Sequence, residues 1–277
     1  MKKTLTLLCI VIGMILDGAD TTIYPNSISI NCGILQVRLD SAKFWNINGI
    51  KYNDLPVSVD LSGAHWGTVF QFPGIGFIGS GHTENESEKV IDIKIFADGK
   101  YIPPENVSEP IKCSEFKMIK RSRVRDIIFN YSMGISNNQV LESCELTAEK
   151  ESSLNLMYNF MHPWSEEMTD YYIQIKDDKL QQGEFKTDDK FPYEGKFIWI
   201  ALYNKNNHAG VVSKFTGQDD AILFLWDRKQ YKKTYLCSFL KKTMSTSQSV
   251  SYNLSTAFFE SAPETWIKTA KNIADKL

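Results

Sequence analysis

Residues 91–95 read Ile-Asp-Ile-Lys-Ile, and this alternation of apolar and charged side chains is typical of a β-strand with one buried face. The pattern recurs at residues 35–39 and dominates the chain from residue 27 to about residue 260. Further strands are predicted at residues 124–131, 139–148, 154–161, 170–176, 196–203, 209–215, 221–226, 234–240 and 249–259. Because strands do not alternate with helices, the sequence favours antiparallel sheets over an α/β fold.

Turn residues separate several of these strands. Asn48-Gly49 and Asp98-Gly99 both tolerate positive φ at two successive positions, which a tight β-hairpin requires. So many strands bury their apolar faces only when they form two packed sheets or a closed barrel. We therefore predict an all-β fold class, a large antiparallel two-sheet β-sandwich of the supersandwich type.

The C-terminal segment has a helical pattern. Apolar residues recur at helical spacing over residues 266–277, and Ser261 and Glu264 have the spacing of a capping box. An amphipathic C-terminal helix is therefore predicted, and we expect it to cover an edge or a face of a sheet.

The N-terminal residues predict export. Lys2 and Lys3 precede an apolar run over residues 5–16, which is too short for a membrane-spanning helix of about 20 residues. We predict a signal peptide over residues 1–19 and one β-sandwich domain over residues 20–277. The mature chain is then expected in the periplasm, on the cell surface or outside the cell, without stable membrane insertion.

Composition narrows the range of partners. The 277-residue chain has a formal net charge of −2 and lacks a strongly basic stretch, which argues against nucleic-acid binding. No phosphate-binding loop, dinucleotide fingerprint or paired Cys-x-x-Cys motif is present, so no cofactor is predicted. Four cysteines remain after export, and their three possible disulfide pairings stay open: Cys32, Cys113, Cys144 and Cys237. The strand pattern around Cys144 favours a buried free thiol.

Two segments could present a histidine to a ligand. Residues 66–84 are rich in glycine, which is typical of irregular or closely packed backbone, and we interpret them as a loop that presents His82 and Glu84. His65 could join this group. The alternative is a tight connection in which His82 only satisfies backbone groups.

The second segment follows the strand predicted at residues 154–161, on which Tyr158 and Phe160 share one face. Proline cannot donate to a strand ladder, so the strand is predicted to end at His162-Pro163. Trp164 could then stack on a sugar, with His162 as proton donor or acceptor. The alternative is a buried corner with a hydrogen-bonded histidine.

A third cluster covers residues 226–235. The planar guanidinium of Arg228 can pair with a carboxylate, and Tyr231 can stack on a substrate or protonate it. Together the clusters predict His82, His162, Tyr231 and Arg228 as catalytic residues. The predicted substrate-binding residues are Trp66, Glu84, Trp164, Trp226 and Tyr235. A metal site built from His82, Glu84 and His162 has no support from the residue spacing, so no metal is predicted.

The exported chain, the long antiparallel strand series and the histidines at strand ends resemble the galactose-mutarotase-like supersandwich group over residues 27–260. That group includes aldose epimerases, polysaccharide lyase domains and glycoside hydrolase domains, which bind sugars on the concave face of the larger sheet. The resemblance implies a histidine acid, for which His162 is the match, and a late carboxylate base, Glu260 or Glu264. The segment Tyr158–His162 shares only its Asn and His with the epimerase motif Asn-x-x-x-His-x-Tyr-Phe-Asn.

The leading hypothesis is a secreted carbohydrate-active enzyme that acts on a poly- or oligosaccharide as a lyase, hydrolase or epimerase. It requires His82, His162 and either Arg228 or Tyr231 to meet in one cleft. The alternatives are a noncatalytic glycan-binding module with tryptophan platforms, and an envelope-associated structural protein with an exposed apolar patch.

Overall fold

The computed structural model describes residues 25–61, 63–79, 82, 85–107, 109–177 and 179–277. The predicted signal peptide therefore lies outside the described residues. The described chain contains twenty-three β-strands, one α-helix and two short 3-10 helical turns. The strands are β1 Ser27–Cys32, β2 Leu35–Asp40, β3 Asn46–Tyr52, β4 Leu55–Pro56, β5 Gly67–Phe72, β6 Gly76–Gly79, β7 Lys89–Ala97, β8 Lys100–Ile102, β9 Ile111–Cys113, β10 Glu115–Val124, β11 Ile127–Ser136, β12 Gln139–Ala148, β13 Ser152–Leu154, β14 Leu156–Ser165, β15 Asp170–Gln174, β16 Leu180–Glu184, β17 Lys190–Gly195, β18 Trp199–Asn204, β19 Ala209–Thr216, β20 Ile222–Asp227, β21 Tyr231–Ser238, β22 Lys242–Met244 and β23 Ser249–Glu260.

Two large antiparallel sheets form the sandwich, which confirms the predicted fold class. The ten-stranded sheet has the order β16-β15-β18-β19-β23-β12-β11-β10-β7-β8, and the six-stranded sheet has the order β17-β20-β21-β14-β5-β6. Strand β10 shows why these residues form a sheet, since its side chains alternate strictly between exposed and buried along ten residues. A five-stranded sheet, β4-β3-β2-β1-β9, and the pair β13-β22 complete the architecture.

The core lies between the inner faces of the two large sheets. Phe160 of β14 packs edge-to-face on Tyr252 of β23, with ring centroids 5.3 Å apart. The hydroxyls of Thr68 on β5 and Tyr252 are 2.8 Å apart, so a polar contact also joins the sheets. These contacts identify which face of the six-stranded sheet points inward.

The C-terminal helix α1 spans Trp266–Ala274 and packs on the ten-stranded sheet, as predicted. Trp266 stacks on Tyr203 with ring centroids 5.0 Å apart and an interplanar angle of 2°. The predicted capping box is wrong, because the helix begins after Thr265 and has no side-chain cap. The hydroxyl of Ser261 instead lies 3.0 Å from the hydroxyl of Thr265. Among the described residues, no helix is long and apolar enough to span a membrane.

One of the two predicted hairpin turns is present. Asp98 and Gly99 connect β7 to β8 with φ values of +48° and +75°. Asn48-Gly49 forms no turn but lies inside β3, where the pairing with β2 shifts register between Arg38 and Leu39. Gly49 is paired with Arg38 and Asn48 is the bulged residue, so both are absorbed within a continuous strand.

The predicted strand end at His162-Pro163 is also wrong, because β14 continues to Ser165. The ladder with β5 stops at Met161, so Pro163 lies beyond it and needs no N–H for that pairing. The Pro163 carbonyl oxygen accepts a hydrogen bond from the Val59 N–H at 3.2 Å. Most of the predicted glycine-rich loop over residues 66–84 is likewise the β5-β6 hairpin.

The four described cysteines are free thiols. Cys144 is buried, which confirms its prediction, and burial raises its pKa above the usual range. Cys32 and Cys113 lie directly opposite each other on the parallel strands β1 and β9. Burial raises the pKa of Cys113 to about 12, so this thiol is protonated at neutral pH.

Candidate functional site

A pocket of about 230 Å³ opens on the outer face of the six-stranded sheet. Strand alternation places it there, because Thr234 of β21 contacts the core residue Trp164 while its neighbours Lys233 and Tyr235 point the opposite way into the pocket. Its aromatic lining residues are Phe77, Tyr158, Trp226, Tyr231 and Tyr235. Its basic lining residues are His65, His82, Arg228 and Lys233.

The turn between β20 and β21 shapes one wall of the pocket. The Arg228 N–H donates to the Tyr231 carbonyl oxygen at 3.1 Å, and Nη1 of Arg228 donates to the Tyr231 hydroxyl at 3.2 Å. The guanidinium lies 4.6 Å from the centroid of the Trp226 ring. Asp189 lies 3.3 Å from Arg228 Nε at the exposed rim. These contacts hold the arginine beside two aromatic rings.

A buried ion pair fixes the base of this turn. Lys232 Nζ donates to Asp227 Oδ1 at 2.6 Å and to the Arg228 carbonyl oxygen at 3.0 Å. Asp227 Oδ2 accepts backbone N–H bonds from Lys186 at 2.6 Å and from Thr187 at 2.8 Å. Both charged side chains are almost fully buried, so the pair ties the arginine turn to the loop before β17.

Two histidines line the opposite wall. The rings of His65 and His82 have centroids 3.9 Å apart, and the His82 ring lies 6.0 Å from that of Phe77. The His82 N–H donates to the Gly79 carbonyl oxygen at 3.0 Å. Gly79 has φ of +145°, and a Cβ there would lie 2.6 Å from the Thr68 carbonyl oxygen, so this position requires glycine. Glu84, predicted beside His82, lies outside the described residues.

Two phenols of the pocket, those of Tyr158 and Tyr235, are hydrogen-bonding groups in their neutral form. Burial raises the pKa of Tyr158 to about 12. The pKa of Tyr235 is also raised, first by burial and then by the neighbouring Tyr231 and Tyr158. Because these phenols stay protonated, they can donate hydrogen bonds to a ligand but cannot act as bases at neutral pH. Imidazole is the side-chain group whose ordinary pKa suits proton transfer at neutral pH.

The expected meeting of His82 and His162 in one cleft does not occur. The outward-facing pocket holds His82, whereas His162 points into the core and is 2% exposed. Its Nε2 lies 2.8 Å from Oε2 of Glu142, whose Oε1 accepts a hydrogen bond from the Tyr131 hydroxyl at 2.8 Å. His162 therefore joins a buried polar cluster between the sheets.

Two of the predicted tryptophan platforms are also buried. Trp66 packs against the His162 ring with centroids 4.5 Å apart, and Trp164 donates a hydrogen bond from Nε1 to Thr234. Both are less than 5% exposed, so neither ring face is available to a sugar. The predicted residues that the pocket does bring together are His82, Arg228, Tyr231, Trp226 and Tyr235.

The late carboxylates implied by the resemblance lie elsewhere. Glu260 ends β23 and accepts a hydrogen bond from Asn53 Nδ2 at 2.5 Å, while Glu264 is exposed just before the helix. Neither lines the pocket. Among the described residues, no group of three or more His, Cys, Asp or Glu is arranged to hold a metal ion.

Tyr158 was missed because of a β-bulge. Simple alternation places Tyr158 and Phe160 on the same face, but the pairing of β14 with β21 shifts register between them. Tyr158 consequently points into the pocket and Phe160 into the core. Phe77 and Lys233 were also missed, and no local sequence signal marks either as a pocket residue.

A larger groove of about 870 Å³ lies on the outer face of the ten-stranded sheet. Ser132, Gly134 and Ser143 form much of its floor, and its lining has no histidine, arginine or tryptophan. The resemblance implied a sugar site on the larger sheet, but the smaller pocket, on the six-stranded sheet, is the better candidate because acid–base and stacking groups converge there.

Comparison with known proteins places this geometry within a known fold. No protein-family model and no curated protein matches the sequence. The Slr1438 protein from Synechocystis sp. PCC 6803 superposes with a TM-score of 0.57 at 8% identity, covering 87% of this chain and 98% of that one. The chain therefore has the galactose-mutarotase-like supersandwich fold, as the sequence resemblance implied.

Two further similar structures belong to proteins named after sugar chemistry. A putative aldose 1-epimerase from Escherichia coli K12 gives a TM-score of 0.52 at 7% identity, with 85% of this chain and 99% of that chain covered. A galactose mutarotase-like protein from Lactobacillus casei ATCC 334 gives 0.54 at 6% identity, covering 84% and 100%. At these identities the similarity establishes the fold.

Proposed function

We propose that this protein is a carbohydrate-active enzyme whose pocket binds a sugar ring and transfers a proton to or from it. The observation that carries the proposal is the convergence of His65 and His82 with Trp226 and Arg228 in one small outward-facing pocket. Its similarity in fold to a putative aldose 1-epimerase supports a sugar as the ligand.

Each wall of the pocket suits part of a sugar. The apolar C–H face of a pyranose can pack against the Trp226 and Tyr235 rings, while its hydroxyls accept hydrogen bonds from Arg228 and from tyrosine hydroxyls. The pocket volume of about 230 Å³ is smaller than a site for a drug-sized ligand. It therefore suits one sugar ring rather than the full width of a polymer.

The paired imidazoles suit acid–base chemistry. A neutral imidazole can accept a proton while a protonated one donates, and ring opening, epimerisation and elimination all include such a transfer. His82 is the proposed primary acid–base residue, and His65, in ring contact with it, is the proposed positioning residue. With the N-terminal signal pattern, we propose that the enzyme acts after export.

The substitution Arg228→Ala tests the binding site. It removes the charged donor and leaves the Tyr231 hydroxyl without its partner. We therefore expect sugar affinity to fall about ten- to hundredfold. Calorimetric titrations with a panel of mono- and disaccharides measure this loss. Lys229→Ala is the matched control, because Lys229 is an exposed cation of the same turn. Equal effects of the two substitutions would contradict the proposal. Binding without turnover would instead support a glycan-binding module.

A further inference from the structure

The outer face of the six-stranded sheet carries a continuous row of aromatic rings that lines the pocket and continues beyond it to Phe191. Starting at the sheet edge, Phe191 and Trp226 have ring centroids 5.5 Å apart, and Trp226 and Tyr235 are 6.1 Å apart. The row continues from Tyr235 to Tyr158 at 5.1 Å, and from Tyr158 to Phe77 at 5.9 Å. It ends at His82, 6.0 Å from Phe77.

The row runs across the strands. Its rings come from β17, β20, β21, β14 and β6, five of the six strands of the sheet. Neighbouring strands lie about 4.8 Å apart, so roughly one ring is presented for each strand crossed. A ligand that leaves the pocket along the row therefore meets Phe191 next.

Core packing does not account for these rings. The interior aromatics Phe160 and Trp164 are at most 1% exposed, whereas Trp226, Tyr235 and Tyr158 keep part of their surface accessible. Phe191, at the outer end, is 50% exposed although it packs nearly parallel to Trp226 at 14°. An exposed aromatic ring that is held in a fixed orientation beside a polar pocket can bind the apolar face of a ligand.

We propose that this row binds an oligosaccharide chain, with the second unit stacked on Phe191 and the terminal unit in the pocket against Trp226. Arg228 stands beside Trp226 and offers hydrogen bonds to the hydroxyls at the edge of that unit. This inference rests on the proposed function and adds the chain length and direction of the ligand.

The substitution Phe191→Ala removes the outermost ring without disturbing the core, because half of the side chain is already in solvent. Leu180→Ala is the matched control, since Leu180 is 47% exposed and lies on the edge strand β16 of the other large sheet. Affinities are measured by calorimetry for glucose and galactose and for the one- to six-unit series of cello-, malto- and galacturono-oligosaccharides.

For the wild-type protein we expect affinity to rise about three- to tenfold from the monosaccharide to the disaccharide, and then to level off. Phe191→Ala should abolish this rise and leave monosaccharide binding unchanged, whereas Leu180→Ala should change neither.

Equal affinity for a monosaccharide and its hexamer, or a rise that Phe191→Ala leaves intact, would overturn the inference while the sugar pocket stands. Absence of binding by every monosaccharide and every chain in the panel would overturn the proposed function and this inference together.

Discussion

Replacement of Asp227 by alanine is expected to lower the free energy of unfolding by about 3–5 kcal/mol. The substitution leaves the Lys232 ammonium buried without its carboxylate and removes the acceptor of the Lys186 and Thr187 N–H groups. Urea unfolding of the purified protein measures the loss. Because Lys232 also holds the Arg228 carbonyl oxygen, sugar affinity should fall as well.

A surface ion pair provides the control for this prediction. Asp220 contacts Lys242 with both side chains substantially exposed, so Asp220→Ala should change stability by less than about 1 kcal/mol. A double replacement, Asp227→Ala with Lys232→Met, should recover part of the lost stability, because it removes the uncompensated charge. If Asp227→Ala and Asp220→Ala cost the same, the buried pair does not anchor the turn.

Replacement of His82 by glutamine is expected to lower kcat/KM about 10²- to 10⁴-fold with the sugar that the protein turns over fastest. Glutamine keeps a hydrogen-bonding side chain of similar size but cannot exchange a proton at neutral pH. KM and the melting temperature should change little, because the His82 ring is only partly buried at the mouth of the pocket.

His208→Asn serves as the matched control for this substitution. His208 is exposed in the turn between β18 and β19, and its φ of +62° suits asparagine. Turnover should therefore be unaffected. If the His82→Gln variant keeps full activity, the His82 imidazole takes no part in catalysis and the pocket is only a binding site.

Much of the fold was predictable from the sequence, because one-sided burial leaves a local pattern. Leu35, Val37 and Leu39 of β2 show the period of two that a sheet with one inward face imposes. Strand β7 shows it only at Ile93 and Ile95, because Ile91 lies beside a register shift and is 52% exposed. The amphipathic spacing of residues 266–277 predicted the helix for the same reason. The exact ends were less predictable, since the Asn48-Gly49 pair and Pro163 are both absorbed within strands.

The site was only partly predictable, because it depends on contacts between distant strands. Residues 226–235 form one hairpin and were identified together, whereas His65 and His82 reach the pocket only through β5, which pairs with β14, and β6, which pairs with β5. His162 was misplaced because its strand was assumed to end there. Tyr158 was misplaced because a bulge puts its side chain on the opposite face of the sheet. Neither feature has a local signature as strong as strand alternation.

The tryptophan side chains allow a direct test of the proposed site. The chain has six tryptophans, and five of them are less than 9% exposed: Trp45, Trp66, Trp164, Trp199 and Trp266. Only Trp226 combines partial exposure with a position in the pocket. Each indole N–H gives a separate signal in a nitrogen–proton correlation spectrum of labelled protein.

The decisive measurement is this spectrum during titration with the sugar that binds most tightly, with Trp226→Phe used to assign the signal. The largest shift should belong to the Trp226 indole, and it should saturate with the same affinity as the calorimetric titration. If saturable binding leaves the Trp226 signal in place, or mainly shifts the signals of Trp199 or Trp266, the sugar binds elsewhere. Either result would contradict the account.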